Sequence, residues 1–348
     1  FNALTNSNKA QAANFPFCTI DPNIGIVPVP DERLDNLFLI SNSKKKIYTT
    51  ISIVDIAGLV KGASNGEGLG NKFLANIRET NAIIHVLRCF DDENITHVEG
   101  SVNPIRDKEI IDLELQLKDL ETLEKLRSKN IRPAETGNKS SKILISIIDR
   151  CILHLEQGKS LRSFDFNNED YLLISNFNLL TIKPVLYLCN IDEQSINQTN
   201  KYVNEVKKIV NDEGAQILTI ATSIESEIAE LENNDDRLMF LNEIGLSEPG
   251  VNNLITSTYQ LLNLQTFFTA GKKEVRAWTI KKDSYAPQAA GVIHTDFERG
   301  FIKAEVISYE DFIGCQGESR AKREGKLRLE GKDYLVTDGD VIHFKFNV

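Results

Sequence analysis

The sequence lacks the features that mark secreted, zinc-binding or membrane proteins. Its five cysteines are scattered, with no C-x-x-C pair and no cluster with histidine at zinc-ligand spacing. Such an odd, dispersed set favours reduced thiols in a cytoplasmic protein over a disulfide framework. No run of about 18 consecutive apolar residues occurs, which excludes a membrane-spanning helix. The first residues predict neither a basic leader nor a signal peptide.

Excess positive charge is also missing. The net charge of −10 over 348 residues argues against general affinity for nucleic acid. The balance is uneven, because residues 265–348 hold 14 Lys/Arg against 13 Asp/Glu, whereas the first 264 residues carry a charge of −11. The C-terminal part is therefore the better candidate for contact with a polyanion, and a solvated charged surface is the alternative.

The length exceeds what one hydrophobic core usually serves, which predicts two or three domains. Four apolar, β-branched runs predict buried strands: 51–59, 82–90, 184–191 and 215–221. Polar helical segments at 71–80 and 201–211 alternate with them. This alternation predicts an α/β domain with a mostly parallel sheet, formed by residues 1–104 and 181–264.

Two further domains are predicted from changes of pattern. Leucines and isoleucines recur at three- and four-residue steps on either side of a break at 132–141, which predicts an inserted helical coiled-coil hairpin over 105–180. Short strand-like runs separated by Gly, Asp and Pro, with a helix at 309–312, predict a small α+β domain over 265–348.

The strongest local motif is "VDIAGLVKGASNGEGLGNKFL" at 54–74. In P-loop hydrolases an aspartate at such a strand end holds Mg²⁺, usually through water, and the glycine of D-x-x-G meets the γ-phosphate. This pattern predicts those roles for Asp55 and Gly58. Glycines at 62, 66, 68 and 70 support a loop that responds to phosphate; the alternative is a flexible loop after a strand.

A second motif lies upstream, in "NFPFCTIDPNIG" at 14–25. Thr19 stands in an extended, proline-flanked stretch that suits a hydroxyl ligand of Mg²⁺, which prefers oxygen ligands together with phosphates and water. The prediction depends on the position of Thr19 ahead of Asp55.

The base-binding motif is expected at "VLYLCNIDE", 185–193. GTPases carry N-K-x-D here, and the aspartate accepts two hydrogen bonds from guanine. This chain has Asn190 followed by Ile191 in place of the lysine and Glu193 in place of that aspartate, so the guanine-selective contact is spoiled. An apolar Ile191 beside the base remains compatible with packing against the purine. An ordinary polar strand-to-loop junction is the alternative. After the next strand, Ala221, Thr222 and Ser223 are expected to bring backbone amides to the purine.

Taken in order, these motifs resemble the Obg-like P-loop hydrolases, and within them the YchF family of ATPases. Further matching stretches are "AANFPFCTI", "LNLQTFFTAG", "VRAWTI" and the ending "DGDV..F.FNV". The resemblance implies Mg²⁺-dependent hydrolysis, with ATP preferred over GTP, and a ribosome-associated regulatory switch. It also implies a coiled-coil insertion and a C-terminal TGS domain with a β-grasp fold. These two domains would contact ribosomal RNA.

The chain departs from this family in one respect, because it contains no G-x-x-x-x-G-K-[ST] phosphate-binding loop. We expect poor hydrolysis from the sequence as it stands. Leu59 follows Gly58, where a glutamine could have oriented water, so His97 in "NITHVEG" is the candidate catalytic residue; a structural or merely exposed histidine is the alternative. A nucleotide-dependent binding protein with incidental hydrolysis and a conventional GTPase are the competing functions.

Overall fold

The computed structural model describes residues 1–5, 22–56, 69–231 and 233–347. They form two compact units. The first comprises Phe1–Gly25 and Ile53–Val251, and the second comprises Ile26–Ser52 and Asn252–Val348. Residues 26–52, which the sequence pattern places in the nucleotide-binding domain, thus group with the C-terminal part.

A three-stranded parallel sheet forms the centre of the first unit. Its strands lie in the order β4 (Ile83–Arg88), β5 (Val185–Asn190) and β6 (Gln216–Ile220). Five successive residues of β5 are buried, as expected of a central strand covered on both faces. The helices predicted at 71–80 and 201–211 are confirmed as α3 (Leu69–Glu79) and α7 (Lys201–Asp212).

Apart from the helices inserted between β4 and β5, the remaining helices of this unit follow β6 or open the chain. They are α1 (Asn2–Thr5), α8 (Thr222–Glu230), α9 (Asn234–Glu243) and α10 (Gly250–Leu261), of which α10 continues into the second unit. The main apolar core combines β4 and β5 with α7 and α8, and includes Tyr187, Val206 and Ile224.

A separate two-stranded ribbon pairs β1 (Asn23–Pro28) with β3 (Thr50–Asp55). Val29 donates its amide hydrogen to Thr49 O at one end, and Asn23 meets Asp55 at the other, so the strands run antiparallel. Gly25 is required here, because a Cβ at this position would overlap Thr5 Cγ2.

The insertion between β4 and β5 is helical, as predicted. It consists of α4 (Pro104–Glu135), α5 (Lys139–Glu156) and α6 (Asn168–Ser175), which share a core that includes Leu123, Ile148 and Ile174. The predicted break at 132–141 is too wide, because α4 continues through Pro133 to Glu135. Proline removes one amide donor, and near the end of a 32-residue helix that loss is tolerated.

The second unit is built on a six-stranded mixed sheet in the order β10-β9-β11-β7-β8-β2. The strands are β2 (Lys46–Ile47), β7 (Leu264–Ala270), β8 (Val275–Lys281), β9 (Phe301–Ile307), β10 (Arg328–Glu330) and β11 (Val341–Phe346). Its helices are α2 (Glu32–Ser41), α11 (Ala286–Ile293), α12 (Thr295–Arg299), α13 (Tyr309–Gly314) and α14 (Glu318–Arg323). The helix predicted at 309–312 is confirmed as α13.

Residues 26–52 belong to this unit for identifiable physical reasons. β2 pairs in parallel with β8, and Leu34 and Leu37 of α2 are fully buried in a core that includes Phe268. Arg33 donates a hydrogen bond to Asp338 at 2.7 Å. Among the described helices of both units, none is long and apolar enough to cross a membrane.

Candidate nucleotide-binding site

Two neighbouring parallel strands end side by side, and the residues that follow them form one cluster. Asn190 lies opposite Ile220 in the register of β5 and β6. Its Oδ1 accepts a hydrogen bond from the backbone amide of Thr222 at 3.2 Å and another from Thr222 Oγ1 at 3.0 Å. The structure therefore brings together the segments 190–193 and 221–223, both singled out by the sequence.

Ile191 follows Asn190 but faces inwards. Its amide donates to Ile220 O at 2.9 Å, and its side chain is only 7% exposed, within the core that also holds Cys189 and Ala221. Ile191 and Ala221 therefore fix the backbone of the site, and their side chains belong to the core. Ser223 is exposed in the first turn of α8.

Glu193 begins a short 3-10 turn, Glu193–Ser195, and its side chain is exposed. The preceding Asp192 caps this turn, because its Oδ1 accepts the amide hydrogen of Ser195 at 3.0 Å. The Asp192 carboxylate is thus engaged with the backbone, and Glu193 is the acid presented to solvent.

Two residues that fix this loop were missed by the sequence reading. They are Asp192, and Asn200, whose Nδ2 donates to Cys89 O at 2.8 Å and to Ser195 Oγ at 3.0 Å. The D-x-x-S spacing of Asp192 and Ser195 is a capping signature that could have identified the first. Asn200 also caps α7, a role that its place before an amphipathic helix could have indicated.

The predicted magnesium ligand Asp55 ends β3 in the two-stranded ribbon. Asn23 Nδ2 donates to Asp55 Oδ2 at 3.5 Å, and this contact to the carboxylate was not foreseen from the sequence. The half-buried carboxylate supplies the oxygen chemistry that Mg²⁺ prefers. Thr19, Gly58 and the glycines at 62, 66 and 68 lie outside the described residues, whereas Gly70 lies in α3.

His97 lies in the loop between β4 and α4, with both ring nitrogens engaged. Its Nδ1 accepts the amide hydrogen of Glu99 at 3.1 Å, so the ring proton is on Nε2, which donates to Asp107 Oδ2 at 3.0 Å. Asp107 is in the first turn of α4. In this arrangement His97 fastens the loop to the insertion helix.

Arg88 stabilises the same loop from its other end. Its guanidinium donates to the carbonyl oxygens of Phe90, Asp92 and Ile95 at 2.9–3.1 Å. These contacts give Arg88 a structural role.

A possible metal cluster occurs on the C-terminal sheet, where ligand atoms of Glu305, Glu318 and His343 lie within 4.8 Å of one another. Lys345 Nζ is 3.3 Å from Glu305 Oε2 and 3.4 Å from His343 Nδ1. Because this ammonium group already contacts the ligand atoms of Glu305 and His343, we assign no metal to the cluster.

Two protein-family models match separate parts of the chain. Residues 1–126 match the family model described as "50S ribosome-binding GTPase". Residues 264–347 match the model YchF-GTPase_C, whose description is "Protein of unknown function (DUF933)".

Whole proteins are similar over the full chain. The proteins named ribosome-binding ATPase YchF from Pasteurella multocida and Bacillus subtilis are 52% and 50% identical to it, and each match covers all of this chain and 95% of the relative. A solved structure of the Schizosaccharomyces pombe "YchF GTPase" is 39% identical, covers 99% of this chain and 93% of that one, and has a TM-score of 0.86.

These similarities confirm the predicted fold class. It is a P-loop GTPase-type α/β domain with a mostly parallel sheet and a long helical insertion, followed by a C-terminal domain built on a β-sheet. The sequence is about half identical to these relatives over the whole length of the chain. The chain therefore belongs to the YchF family.

Proposed function

We propose that this protein is a Mg²⁺-dependent nucleotide hydrolase that prefers ATP to GTP and acts as a ribosome-associated switch in the cytoplasm. The names of the relatives support ATP hydrolysis and ribosome binding. The observation that carries the proposal is the link between Asn190 and Thr222, which joins the two predicted base-binding segments beside the exposed Glu193.

Selectivity for ATP follows from the side chains at the end of β5. A guanine-reading aspartate accepts hydrogen bonds from both the N1–H and the N2 amino group of guanine. Its short side chain sets the position of the carboxylate. Glu193 is one methylene longer, and the neighbouring Asp192 is engaged in capping Ser195. Without that contact guanine loses its advantage. The backbone amides of Ala221 and Ser223 would serve adenine, because the amide of Thr222 donates to Asn190 instead.

The phosphate end of the site is assigned to Asp55, Thr19 and Gly58. Asp55 and Thr19 would hold Mg²⁺, and Gly58 would meet the γ-phosphate. When bound, the ion would neutralise charge on the phosphate oxygens. Asn23 orients Asp55 by its hydrogen bond. His97 is proposed to position the attacking water, a role that requires it to release Asp107 or Glu99.

The domain assignment is part of the proposal. As predicted from the sequence, residues 1–104 with 181–264 bind nucleotide, 105–180 form the coiled-coil domain, and 265–348 form a TGS domain with a β-grasp fold. Residues 26–52 of the first range are the exception, because they group with the C-terminal unit. Helix α11 packs with the mixed sheet in one core, which is compatible with that fold. The helical and TGS domains are proposed to meet the ribosome.

The two competing functions, a conventional GTPase and a binding protein with incidental hydrolysis, are less well supported than ATP hydrolysis. The name of the S. pombe relative supports a GTPase, and Glu193 opposes it. The expectation of poor activity gains no support from the relatives and forms no part of the proposal.

The test is nucleotide turnover by the purified protein, measured with ATP and Mg²⁺, with and without ribosomes. The proposal predicts ATP turnover that Mg²⁺ removal abolishes and that ribosomes change. Ribosome binding that depends on nucleotide without measurable turnover would instead identify a binding protein with incidental hydrolysis.

A further inference from the structure

A single side chain, that of Asn200, connects the ends of two strands to the start of a helix. Asn200 precedes α7, and its Oδ1 accepts the amide hydrogen of Val203 at 3.1 Å. Its Nδ2 donates to Cys89 O, just beyond β4, at 2.8 Å, and to Ser195 Oγ, in the turn that follows β5, at 3.0 Å. Because an amide side chain offers two donor hydrogens and one acceptor oxygen, every polar group of this side chain is engaged.

On the side of the base, Asn200 contacts the turn that presents Glu193. Ser195 ends this turn, and its amide hydrogen is accepted by Asp192 Oδ1 at 3.0 Å. The hydroxyl of the same serine is the group that Asn200 binds. Ser195 is therefore held through both its backbone and its side chain. The position of Glu193, the acid proposed to set the choice of base, depends on these contacts.

On the opposite side, Asn200 fixes the start of the loop that carries His97. The loop begins at the buried Cys89, whose carbonyl oxygen accepts from Asn200. Arg88 then donates hydrogen bonds to three carbonyl oxygens between residues 90 and 95. These bonds make the segment 89–95 a stiff unit that Asn200 holds at one end, and His97 lies two residues beyond the other end.

A second contact joins the same loop to α7 but is exposed to solvent. The hydroxyl of Tyr202 lies 2.8 and 2.9 Å from the two carboxylate oxygens of Asp91, and Lys201 Nζ lies 3.8 Å from one of them. The side chains of Lys201 and Asp91 are 71% and 67% exposed, and ion pairs in such positions stabilise little. The half-buried Asn200 is therefore the main connection between the two loops.

The base-reading turn and the His97 loop thus share one side chain. His97 is held by two hydrogen bonds, and positioning water requires it to release one of them. Because Arg88 stiffens the loop, its displacement is governed at Cys89, where Asn200 holds it. Hydrogen-bond networks of this kind can carry energetic coupling between sites. We propose that Asn200 is a positioning residue that couples recognition of the base to the placement of His97, an inference that rests on the proposed function.

The test is amide hydrogen exchange of the whole protein with ADP, followed by mass spectrometry. ADP carries the base and lacks the γ-phosphate, so slower exchange in segment 89–99 cannot result from contact with that phosphate. We expect ADP to slow exchange in both 190–195 and 89–99 of the unmodified protein. In Asn200→Asp only the first segment should stay protected, because aspartate keeps the cap on α7 and loses the donor to Cys89 O.

Two further variants separate coupling from a general effect on the protein. Asn138→Asp makes the same change at the cap of α5, in the insertion, and should exchange as the unmodified protein does. Ser195→Ala removes the contact on the base side and should also abolish the protection of 89–99.

Turnover gives a second readout. In Asn200→Asp the kcat for ATP should fall about tenfold, the effect of one lost hydrogen bond beside an added charge, with KM nearly unchanged. A purely structural role would instead lower thermal stability and leave the kcat of the folded protein intact.

Protection of 89–99 that persists in Asn200→Asp would overturn the coupling and leave the proposed function in place. The same conclusion follows if ADP protects 190–195 of the unmodified protein and not 89–99. An equal loss of protection in Asn138→Asp would assign the effect to the added charge, which also overturns the coupling. If ADP protects neither segment and ATP is not hydrolysed, the proposed nucleotide site is refuted, and this inference with it.

Discussion

Asn190 holds Thr222 by two hydrogen bonds to a single side-chain oxygen, at 3.2 and 3.0 Å. One residue ends β5 and the other begins α8, 32 positions later in the chain. Because β5 and β6 are adjacent and parallel, both loops leave the same edge of the sheet. The pair therefore sets the distance between the two segments proposed to hold the base.

Asn190→Ala should separate these segments and weaken nucleotide binding. Each hydrogen bond contributes about 1 kcal/mol, so the ATP dissociation constant should rise about tenfold to thirtyfold. Titration with a fluorescent ATP analogue measures this. Ser223→Ala is the control, because it keeps the backbone amide and should bind as the unmodified protein does. Unchanged affinity in Asn190→Ala would remove the pair from the site.

Asp55→Ala should abolish the Mg²⁺ dependence of ATP binding and lower turnover at least about 100-fold, because it removes the proposed metal-binding carboxylate. Asn23→Ala removes only the donor to Asp55 and should have a smaller effect. Calorimetric titration with ATP, in magnesium and in chelator, distinguishes the two. An Asp55→Ala protein that still binds ATP more tightly with magnesium would refute the assignment.

His97→Ala tests whether this residue does more than fasten its loop. If it positions water, turnover should fall about 100-fold while the ATP dissociation constant stays the same. The comparison variant Asp107→Ala removes its hydrogen-bond partner and keeps the imidazole. Should both variants lose thermal stability with turnover intact below the melting temperature, His97 has a structural role only.

Glu225 makes stability depend on pH. It is almost fully buried and caps α10, accepting amide hydrogens from Gly250 at 2.7 Å and Val251 at 3.3 Å. Burial raises its pKa above the ordinary 4.5, although the two amides oppose the shift. The folded state therefore holds the proton more tightly than the unfolded state, and this contribution to stability is lost as pH rises from about 4.5 through the raised pKa.

Glu225→Gln removes that titration and keeps a carbonyl acceptor. The urea midpoint of the variant, relative to that of the unmodified protein, should therefore increase between pH 4 and pH 7. Glu227→Gln, on the exposed face of the same helix, is the control and should show no such trend. A difference in midpoint that is constant or decreasing with pH would contradict the interpretation.

The sequence predicts the parts of this site that depend on strand ends. Asn190 and Thr222 are both predicted as site residues because each stands at the end of an apolar run. Adjacent parallel strands bring such residues together. The sequence places Ile191 beside the base, whereas its side chain is buried in the core. A strand-to-loop junction does not reveal which side chain turns into the core.

Features that depend on tertiary packing were not predicted. Arg33 and Asp338 are 305 residues apart, and no local pattern shows that α2 packs with the C-terminal sheet.

The central claim is that Glu193 gives preference to ATP. The direct measurement is a competition titration of the protein with ATP and GTP in magnesium, for the unmodified chain and for Glu193→Asp. Glu227→Asp is the control, since it shortens an exposed glutamate elsewhere by the same methylene. The substitution Ile191→Lys is not used on its own, because Ile191 is buried and a lysine there would place a charge in the core.

We predict at least tenfold tighter binding of ATP, about 1.4 kcal/mol, and a shift towards GTP in Glu193→Asp that Glu227→Asp does not show. Equal or reversed affinities of the unmodified protein for ATP and GTP would contradict the account.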